Sequence, residues 1–403
     1  MKVLIISHMY PSTFNEMSGI FVHQQVKALI KQGCEVKVIS PIPLSVFPMN
    51  IMSSRWKKYS MVPKFQLRDN VEIYYPRYVE FPKGMFMEYS GYFMYLGIKD
   101  TIKEIYNNFK FDIIQSHVAL PDGYASILVS KRYNIPQVVT VHGQDLQYTI
   151  FKNEKCKKKL FKTFNFVDKI ITVSNKLKEV VKTENFYNKM TVINNGVDLD
   201  EINEIRKEIN TYKNNSEFRI VSASNLIKTK GIDLNIKAVS ILLKKYPGIK
   251  YYIIGDGEEK NNLQELVNSL NLNKNIFFLG KLEHKEVIKY MFNANIFSMP
   301  SWQEGFGMVY IEAMACGKPV IGVQGEGIQD AIIDKENGLL VNPQNIESLV
   351  QAIDFLISNP DKADYIGKNA KESVINNFTW DINAKKTVEI YEHISKASGG
   401  KII

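Results

Sequence analysis

Residues Lys2 to Ser40, KVLIISHMYPSTFNEMSGIFVHQQVKALIKQGCEVKVIS, hold one complete structural unit. KVLII is a short apolar run without polar alternation, which suits a strand buried on both faces of a parallel sheet. After a polar loop, Val22, Val26, Leu29 and Ile30 stand at i, i+4, i+7 and i+8, so they fall on one face of a helix that Gly33 stops. EVKVIS then reads as the next strand. Strand, loop, helix, strand is the repeating unit of a doubly wound α/β sheet.

The unit recurs along the chain. FDIIQSH, QVVTVHG, KIITVS and MTVINNG are further apolar runs separated by helical stretches. After the polar segment EINEIRKEINTYKNNSEF the pattern restarts with FRIVSAS, a helix over 231–246, YYIIG, a helix from Glu258, NIFFLG, NIFSMP and KPVIGV. Two Rossmann-like α/β/α domains are therefore predicted, 1–200 and 201–375, joined near 198–216. FTWDINAKKTVEIYEHIS reads as an amphipathic helix within a last segment, 376–403, and SGGKII as a frayed tail. A length of 403 residues agrees, being too long for one ordinary core.

Composition narrows the function. Hydrophobic residues at 45% and charged residues at 23% describe an ordinary globular protein. Cys34, Cys156 and Cys316 are far apart and odd in number, so neither a disulfide framework nor a clustered metal site is expected, and a reduced cytoplasm fits best. No run reaches the ~18 apolar residues of a spanning helix, which predicts a soluble or peripheral protein. The net charge of +9 is uneven: the first 200 residues hold 27 basic and 17 acidic side chains, the rest 24 and 25. Such a bias suits a half that meets phosphates or an anionic membrane surface. No basic helix or nucleic-acid motif accompanies it, so nucleic acid is not an expected partner. Two irregular blocks in this half, 41–65 and 74–98, mix aromatics, Met, Pro and Lys/Arg. They read either as a lip touching acceptor or membrane, or as long loops and a core helix packed on the first domain.

Ligands of doubly wound sheets bind beyond the carboxyl ends of the strands, so the loops there hold the candidate site. NIFSMPSWQEGFGM leaves a strand and enters a helix near Met308. Gly305 and Gly307 allow close approach of the backbone to a ligand, and free N–H groups at a helix start suit an anion. Glu304 and Glu312 would lie roughly 12 Å apart were the segment wholly helical. Carboxylates so spaced, with an anion-binding backbone between them, fit a ligand with hydroxyls at both ends and phosphates in the middle, as in a nucleotide sugar. The alternative is that Glu304 caps the helix and Glu312 lies on its surface. VSASNLIKTKGID sets Lys230 where it neutralises phosphate, or else as a solvated lysine, and Gly231 at the next helix start. YYIIGDGEE carries Gly255 and Gly257 as a lone G-x-G, which signals a tight turn. In the first half, Gly19 stands just before a helix and offers a backbone anion contact across an interdomain cleft. VVTVHGQDL ends a strand with His142 and Asp145, where a histidine either moves a proton or serves structure. No G-x-G-x-x-G follows the first strand, which disfavours a nicotinamide-dependent dehydrogenase. Asp198-Leu199-Asp200 has the form of a metal-holding Asp-x-Asp, but it sits at the join and no metal is expected there.

Taken together these residues resemble the retaining nucleotide-sugar glycosyltransferases of family four, which have the GT-B fold of two Rossmann-like domains facing a cleft. The most specific part is Glu304-Gly305-Phe306-Gly307 through Glu312 with the following AMACGKPVI; the Gly19 loop, VHGQD, NNGVD, Lys230-Gly231 and IIGDGEE come in the family's order. The resemblance implies that Glu304, with the backbone of Gly305 to Met308, holds the donor sugar, that Glu312 holds the ribose and Lys230 the diphosphate. Asn225 and Gly255 would complete the donor site. It places Gly19 near the phosphates, His142 near donor sugar and acceptor, and Asp145 on the acceptor side; Glu304, Lys230 and His142 would be the catalytic set. It also implies that the helix around Trp380 returns to the first domain. Five residues before the lysine the family usually has an arginine, where this chain has Asn225. The change removes charge-assisted contacts worth about 1.5 to 3 kcal/mol, for which Lys228 is the candidate substitute. The implied reaction is metal-independent and needs no cofactor, the nucleotide sugar being a substrate. A hexosyl unit would pass from a nucleotide diphosphate sugar, UDP before GDP, to a hydroxyl of a glycan or lipid-linked glycan, by front-face attack with retention. The setting would be polysaccharide or glycolipid synthesis at the inner face of the cytoplasmic membrane. A nucleotide-sugar epimerase of the same fold and a non-catalytic sugar-nucleotide-binding subunit are the alternatives.

Overall fold

The apolar runs of the first half become strands of one sheet. In the computed structural model, which describes residues 1–13, 15–45, 53–209 and 217–399, these are β1 (Lys2–Ile6), β2 (Glu35–Ile39), β4 (Phe65–Arg68), β5 (Val71–Tyr74), β7 (Ile113–His117), β8 (Gln137–Val141), β9 (Lys169–Thr172) and β10 (Met190–Val192). Short strands β3 (Ile42–Pro43) and β6 (Arg77–Tyr78) pair separately. The sheet order is β10-β9-β8-β7-β1-β2-β5-β4, parallel throughout except between β4 and β5. The winding reverses between β1 and β7. Leu4, Ile6, Ile39 and Ile114 join Met94, Ile98, Ile102 and Ile105 of the helix Met87–Asn108 in one buried cluster. Burial of each such side chain contributes on the order of 1.5 to 3 kcal/mol.

Two local readings need correction. Ile30 is 37% exposed, so the core face of the helix Ile20–Lys31 is carried by Val22, Val26 and Leu29 alone among the four. The β4–β5 hairpin went unpredicted because its two-residue turn contains no glycine; Asp69 and Asn70 themselves take φ of 48° and 62°, both left-handed as a I′-like turn requires. Of the two irregular blocks, 46–52 lie outside the described residues. Within the second block, residues 87–98 are the first turns of the helix Met87–Asn108, whose Gly91, Met94 and Ile98 are buried, as the core-helix alternative has it.

The helix Trp380–Gly399 belongs to this first unit, which comprises Met1–Asn194 and Trp380–Ile403. Buried polar groups fix it there. Gln25 Nε2 donates to Asn383 Oδ1 at 2.6 Å, Asn383 Nδ2 donates to the Asn194 carbonyl at 2.8 Å, and the Tyr391 hydroxyl donates to Gln115 of β7. Gln115 Nε2 in turn bonds Gln25 Oε1 and Thr140 Oγ1 at 3.1 and 2.8 Å. The tail from residue 400 lies outside the described residues.

Asn195–Thr379 forms the second unit, with β11 (Phe218–Ala223), β12 (Ile249–Ile254), β13 (Ile276–Gly280), β14 (Ile296–Ser298), β15 (Val320–Val323) and β16 (Leu339–Val341) in the order β13-β12-β11-β14-β15-β16, all parallel. The order reverses at β11 and β14, the topological switch point at which open α/β sheets leave a crevice. A buried network pins that point. Asn235, on the helix Ile232–Leu242, donates to the Ser298 carbonyl at 2.9 Å and to the Tyr251 hydroxyl at 3.1 Å, and accepts from Ser298 Oγ at 2.7 Å.

The division at 194/195 differs from a join at 198–216. The polar segment is helical over Leu199–Lys207, with Ile202 and Ile205 buried, because Asp198 Oδ1 accepts the Glu201 N–H at 3.1 Å and caps it. Residues 210–216 lie outside the described residues. Among the described residues no helix is long and apolar enough to cross a membrane.

Candidate active site

The second unit's candidate residues collect at the carboxyl ends of β11, β14 and β15. After β11 the chain makes a single turn at Lys228–Lys230 and enters the next helix through Gly231, whose φ is 70°. A Cβ there would lie 2.3 Å from the Pro300 carbonyl oxygen, so only glycine lets the loops after β11 and β14 lie in contact. Hydrogen bonds hold them together, with the Trp302 N–H and Ser301 Oγ both donating to the Thr229 carbonyl at 3.0 and 3.1 Å. The consequence is an ion pair: Lys230 Nζ donates to Glu304 Oε1, with both side chains mostly buried.

The loop after β15 adds a third contact. Glu326 Oε2 accepts the Glu304 N–H at 2.7 Å, and a Cβ on Gly327 would meet the Gly305 carbonyl oxygen at 2.2 Å. Gly307, with φ 93°, precedes the helix Met308–Ala315, which starts where expected. Glu304 is therefore not the cap, and because 301–307 are not helical the 12 Å spacing does not apply. Phe306 is buried, its ring 6.0 Å from that of Phe378. Glu312, one turn into the helix, is 15% exposed and accepts from His284 Nε2 at 3.1 Å, while His284 Nδ1 stands 3.1 Å from Glu201 Oε1. Hydrogen bonds to Glu201 and then Glu312 outweigh burial and push the His284 pKa up to about 10, so an imidazolium holds the two carboxylates.

Asn225 and Lys228 make other contacts. Asn225 is exposed and its carbonyl accepts the Ile227 N–H at 2.9 Å; Lys228 is exposed and its ammonium pairs with Asp233 at 3.0 Å. Gly255 has a steric role: with φ 132°, a Cβ would lie 1.8 Å from the Ser224 carbonyl oxygen, so the turn after β12 packs beneath the β11 loop. A cavity of about 930 Å³ lies at the opposite strand ends, lined among others by Arg206, Arg219, Lys245 and Lys318. The helices Leu199–Lys207, His284–Asn293, Met308–Ala315 and Ile346–Ser358 end there, and cations near helix carboxyl ends offset their partial negative charge.

In the first unit, the equivalent strand ends bring another set together. Gly19 caps the helix Ile20–Lys31 with φ 62°, and a Cβ would collide with the Met9 carbonyl oxygen at 2.2 Å. Phe21, the second residue of that helix, packs its ring 4.6 Å from His142. His142 Nε2 faces His117 Nδ1 at 2.9 Å, the two rings stacking at 5.2 Å. Burial pushes His142 down to about 3, and burial with the neighbouring ring holds His117 well below the usual range, so both stay neutral at pH 7. His117 Nε2 and His142 Nδ1 are buried with no hydrogen-bond partner among the described residues. Asp145 is fully buried and accepts the N–H groups of Ala119 and Leu120 at 2.9 and 3.4 Å. Burial raises its pKa to about 7 against those bonds. His8, at the end of β1, donates its N–H to Asp122 Oδ1 at 3.0 Å and sets Nδ1 2.6 Å from Oδ2, joining the loops after β1 and β7 at this unit's switch point. Burial lowers the His8 pKa but Asp122 raises it further, with a net upward shift.

His8, His117, Asp122, Glu326 and His284 were not singled out from the sequence. The loop position of Asp122 in HVALPDG and of Glu326 in GEG, each following an apolar run, is the signal that could have found two of them.

Residues 18–201 match the family described as Glycosyltransferase Family 4, and 202–373 that described as Glycosyl transferases group 1. A Bacillus subtilis chain provisionally named teichuronic acid biosynthesis glycosyltransferase TuaC is 27% identical over 99% of this chain and 100% of its own length. An uncharacterised glycosyltransferase of Methanocaldococcus jannaschii is 33% identical over 73% of this chain and 78% of its own. The structure of HepE from Anabaena in complex with UDP is similar in fold, with a TM-score of 0.70 at 18% identity, over 98% of this chain and all of that one.

Proposed function

Since the chain belongs to glycosyltransferase family 4, whose members transfer sugar from a nucleotide sugar, we propose that it moves a hexosyl unit from a UDP-sugar, with GDP-sugars next in order, to a hydroxyl of a glycan or lipid-linked glycan, retaining the anomeric configuration. The UDP in the HepE complex supports the base, and the name of the Bacillus relative supports a cell-surface polymer. The observation that carries the reading is the Lys230–Glu304 pair at the β11/β14 switch point, beside a helix start and a tethered Glu312.

In this reading the diphosphate takes over the Lys230 ammonium. Glu304 accepts from the sugar hydroxyls and Glu312 from the ribose. As the bond from the anomeric carbon to the diphosphate breaks, negative charge builds on the departing oxygen. Lys230 and the N–H groups at the start of Met308–Ala315 oppose it, the main catalytic term. The acceptor oxygen bonds to the anomeric carbon on the face the phosphate leaves, and its proton goes to the leaving phosphate oxygen. His142, neutral, serves as a hydrogen-bonding partner for donor sugar and acceptor, with Asp145 setting the loop beside it.

A panel of nucleotide sugars screened by thermal shift tests the donor, since a ligand at 100 times its dissociation constant adds about 2.7 kcal/mol to the folded state. NMR of the product then reads its anomeric configuration. An inverted product, release of a new nucleotide sugar without acceptor, or no stabilisation by any donor would each contradict the proposal.

A further inference from the structure

The helix Met87–Asn108 is apolar on two faces. Gly91, Met94, Ile98, Ile102 and Ile105 face the core, yet Tyr89, Tyr92 and Leu96, at i, i+3 and i+7, are 46%, 49% and 42% exposed. Phe86, half exposed just before this helix, is held at φ 54°, a conformation bulky residues rarely adopt. Beside this stripe lies a second one. Lys152 Nζ donates to the Gly84 carbonyl at 2.7 Å, and Lys155 Nζ stands 3.8 Å from Glu88, which seats the Phe151 tip and the helix Glu154–Phe166 against the first turns of Met87–Asn108. Phe151 is 74% exposed. This helix corrects the expectation that no basic helix accompanies the charge: it carries five lysines, of which Lys155, Lys158 and Lys162, again at i, i+3 and i+7, are exposed.

We propose that this face, the aromatic stripe with Phe151 and the lysine stripe beside it, docks the first unit on an anionic bilayer. Separate protruding aromatic tips flanked by lysines match a headgroup layer, where rings enter the acyl boundary and ammonium groups meet lipid phosphates. A protein partner fits less well, because interface cores are depleted of lysine. The charge surplus of the first 200 residues, 27 basic against 17 acidic, agrees in sign. Phe151 follows Asp145 closely in the chain, so docking here would deliver a lipid-linked acceptor to the His117–His142 strand ends; that consequence rests on the proposed function, whereas docking does not.

Co-sedimentation of the full chain with phosphatidylglycerol–phosphatidylcholine vesicles, against phosphatidylcholine alone, tests it. Binding is expected only to the anionic vesicles at low salt and to fall as salt rises. Lys155→Gln/Lys158→Gln/Lys162→Gln and Tyr89→Ser/Phe151→Ser should each weaken it on the order of tenfold or more. The charge-matched Lys244→Gln/Lys362→Gln/Lys368→Gln variant, in the second unit, should bind as the parent does. No preference for anionic lipid, or equal loss in the charge-matched variant, overturns the proposal. Thermal stabilisation by a nucleotide sugar, read on the same variants, should stay unchanged, so a failure of docking and a failure of the glycosyl-transfer reading are told apart.

Discussion

At the scale of single residues, Lys230 and Glu304 satisfy each other's charge in a mostly buried setting, 18% and 10% exposed. Removing either partner takes the opposite charge away from a mostly buried one, at a cost of about 3 kcal/mol. Lys230→Ala and Glu304→Ala are thus expected to lower both the melting temperature and transfer, whereas the double variant regains part of the stability and none of the activity. Full recovery of transfer in the double variant would contradict a role for the pair in the donor site. The imidazolium of His284 makes a second prediction. Its folded pKa, about 10, lies above the unfolded value near 6.5. The clamp therefore contributes its full stability below pH 6.5 and loses it as pH rises toward 10. The melting-temperature gap between parent and His284→Ala should be widest below pH 6.5 and close toward pH 10, and an NMR titration should find the ring protonated at pH 8. Lys230, Glu304 and Glu312 could be singled out in the sequence as candidates because each stands at a short distance from glycines in a loop that follows an apolar run. Glu326 and His284 were not, since their partners, Glu304 and Glu312, are 22 and 28 residues away along the chain.

At the scale of elements, the loops after β11, β14 and β15 touch only because particular glycines lack a side chain. Gly231→Ala and Gly327→Ala would each set a carbon within about 2.3 Å of a backbone carbonyl oxygen, which has no rotamer with which to yield. Both substitutions are expected to displace the Glu304 loop and lower nucleotide-sugar affinity at least tenfold, by calorimetry, while Gly280→Ala, where nothing lies within 4 Å, should cost only its strained φ of 71° and leave donor binding intact. Strand-and-helix alternation was readable from apolar periodicity alone. The β4–β5 hairpin was not, since Asp69-Asn70 is a weaker turn signal than a glycine pair, and neither was the outward turn of Ile30, which depends on how far the helix face is covered.

At the scale of the whole chain, the first unit is closed by a helix from the far end of the sequence. Gln25, Gln115, Asn383 and Tyr391 form one buried polar network, and a network left half satisfied costs more than an apolar core. Ending the chain after Thr379 is expected to speed amide exchange across β1, β7 and β8 while leaving β11, β12 and β14 protected; equal protection of both sheets would contradict it. No local pattern in residues 380–399 announces that destination, which rested on family likeness rather than periodicity. Lys230 and Glu304 are proposed to grip a sugar diphosphate at the second unit's switch point. Calorimetric titration of the stabilising nucleotide sugar into the parent and Lys230→Ala tests it most directly, with a loss of affinity of about a hundredfold expected for a buried charge-assisted contact to phosphate. Equal affinity in the two proteins would contradict it.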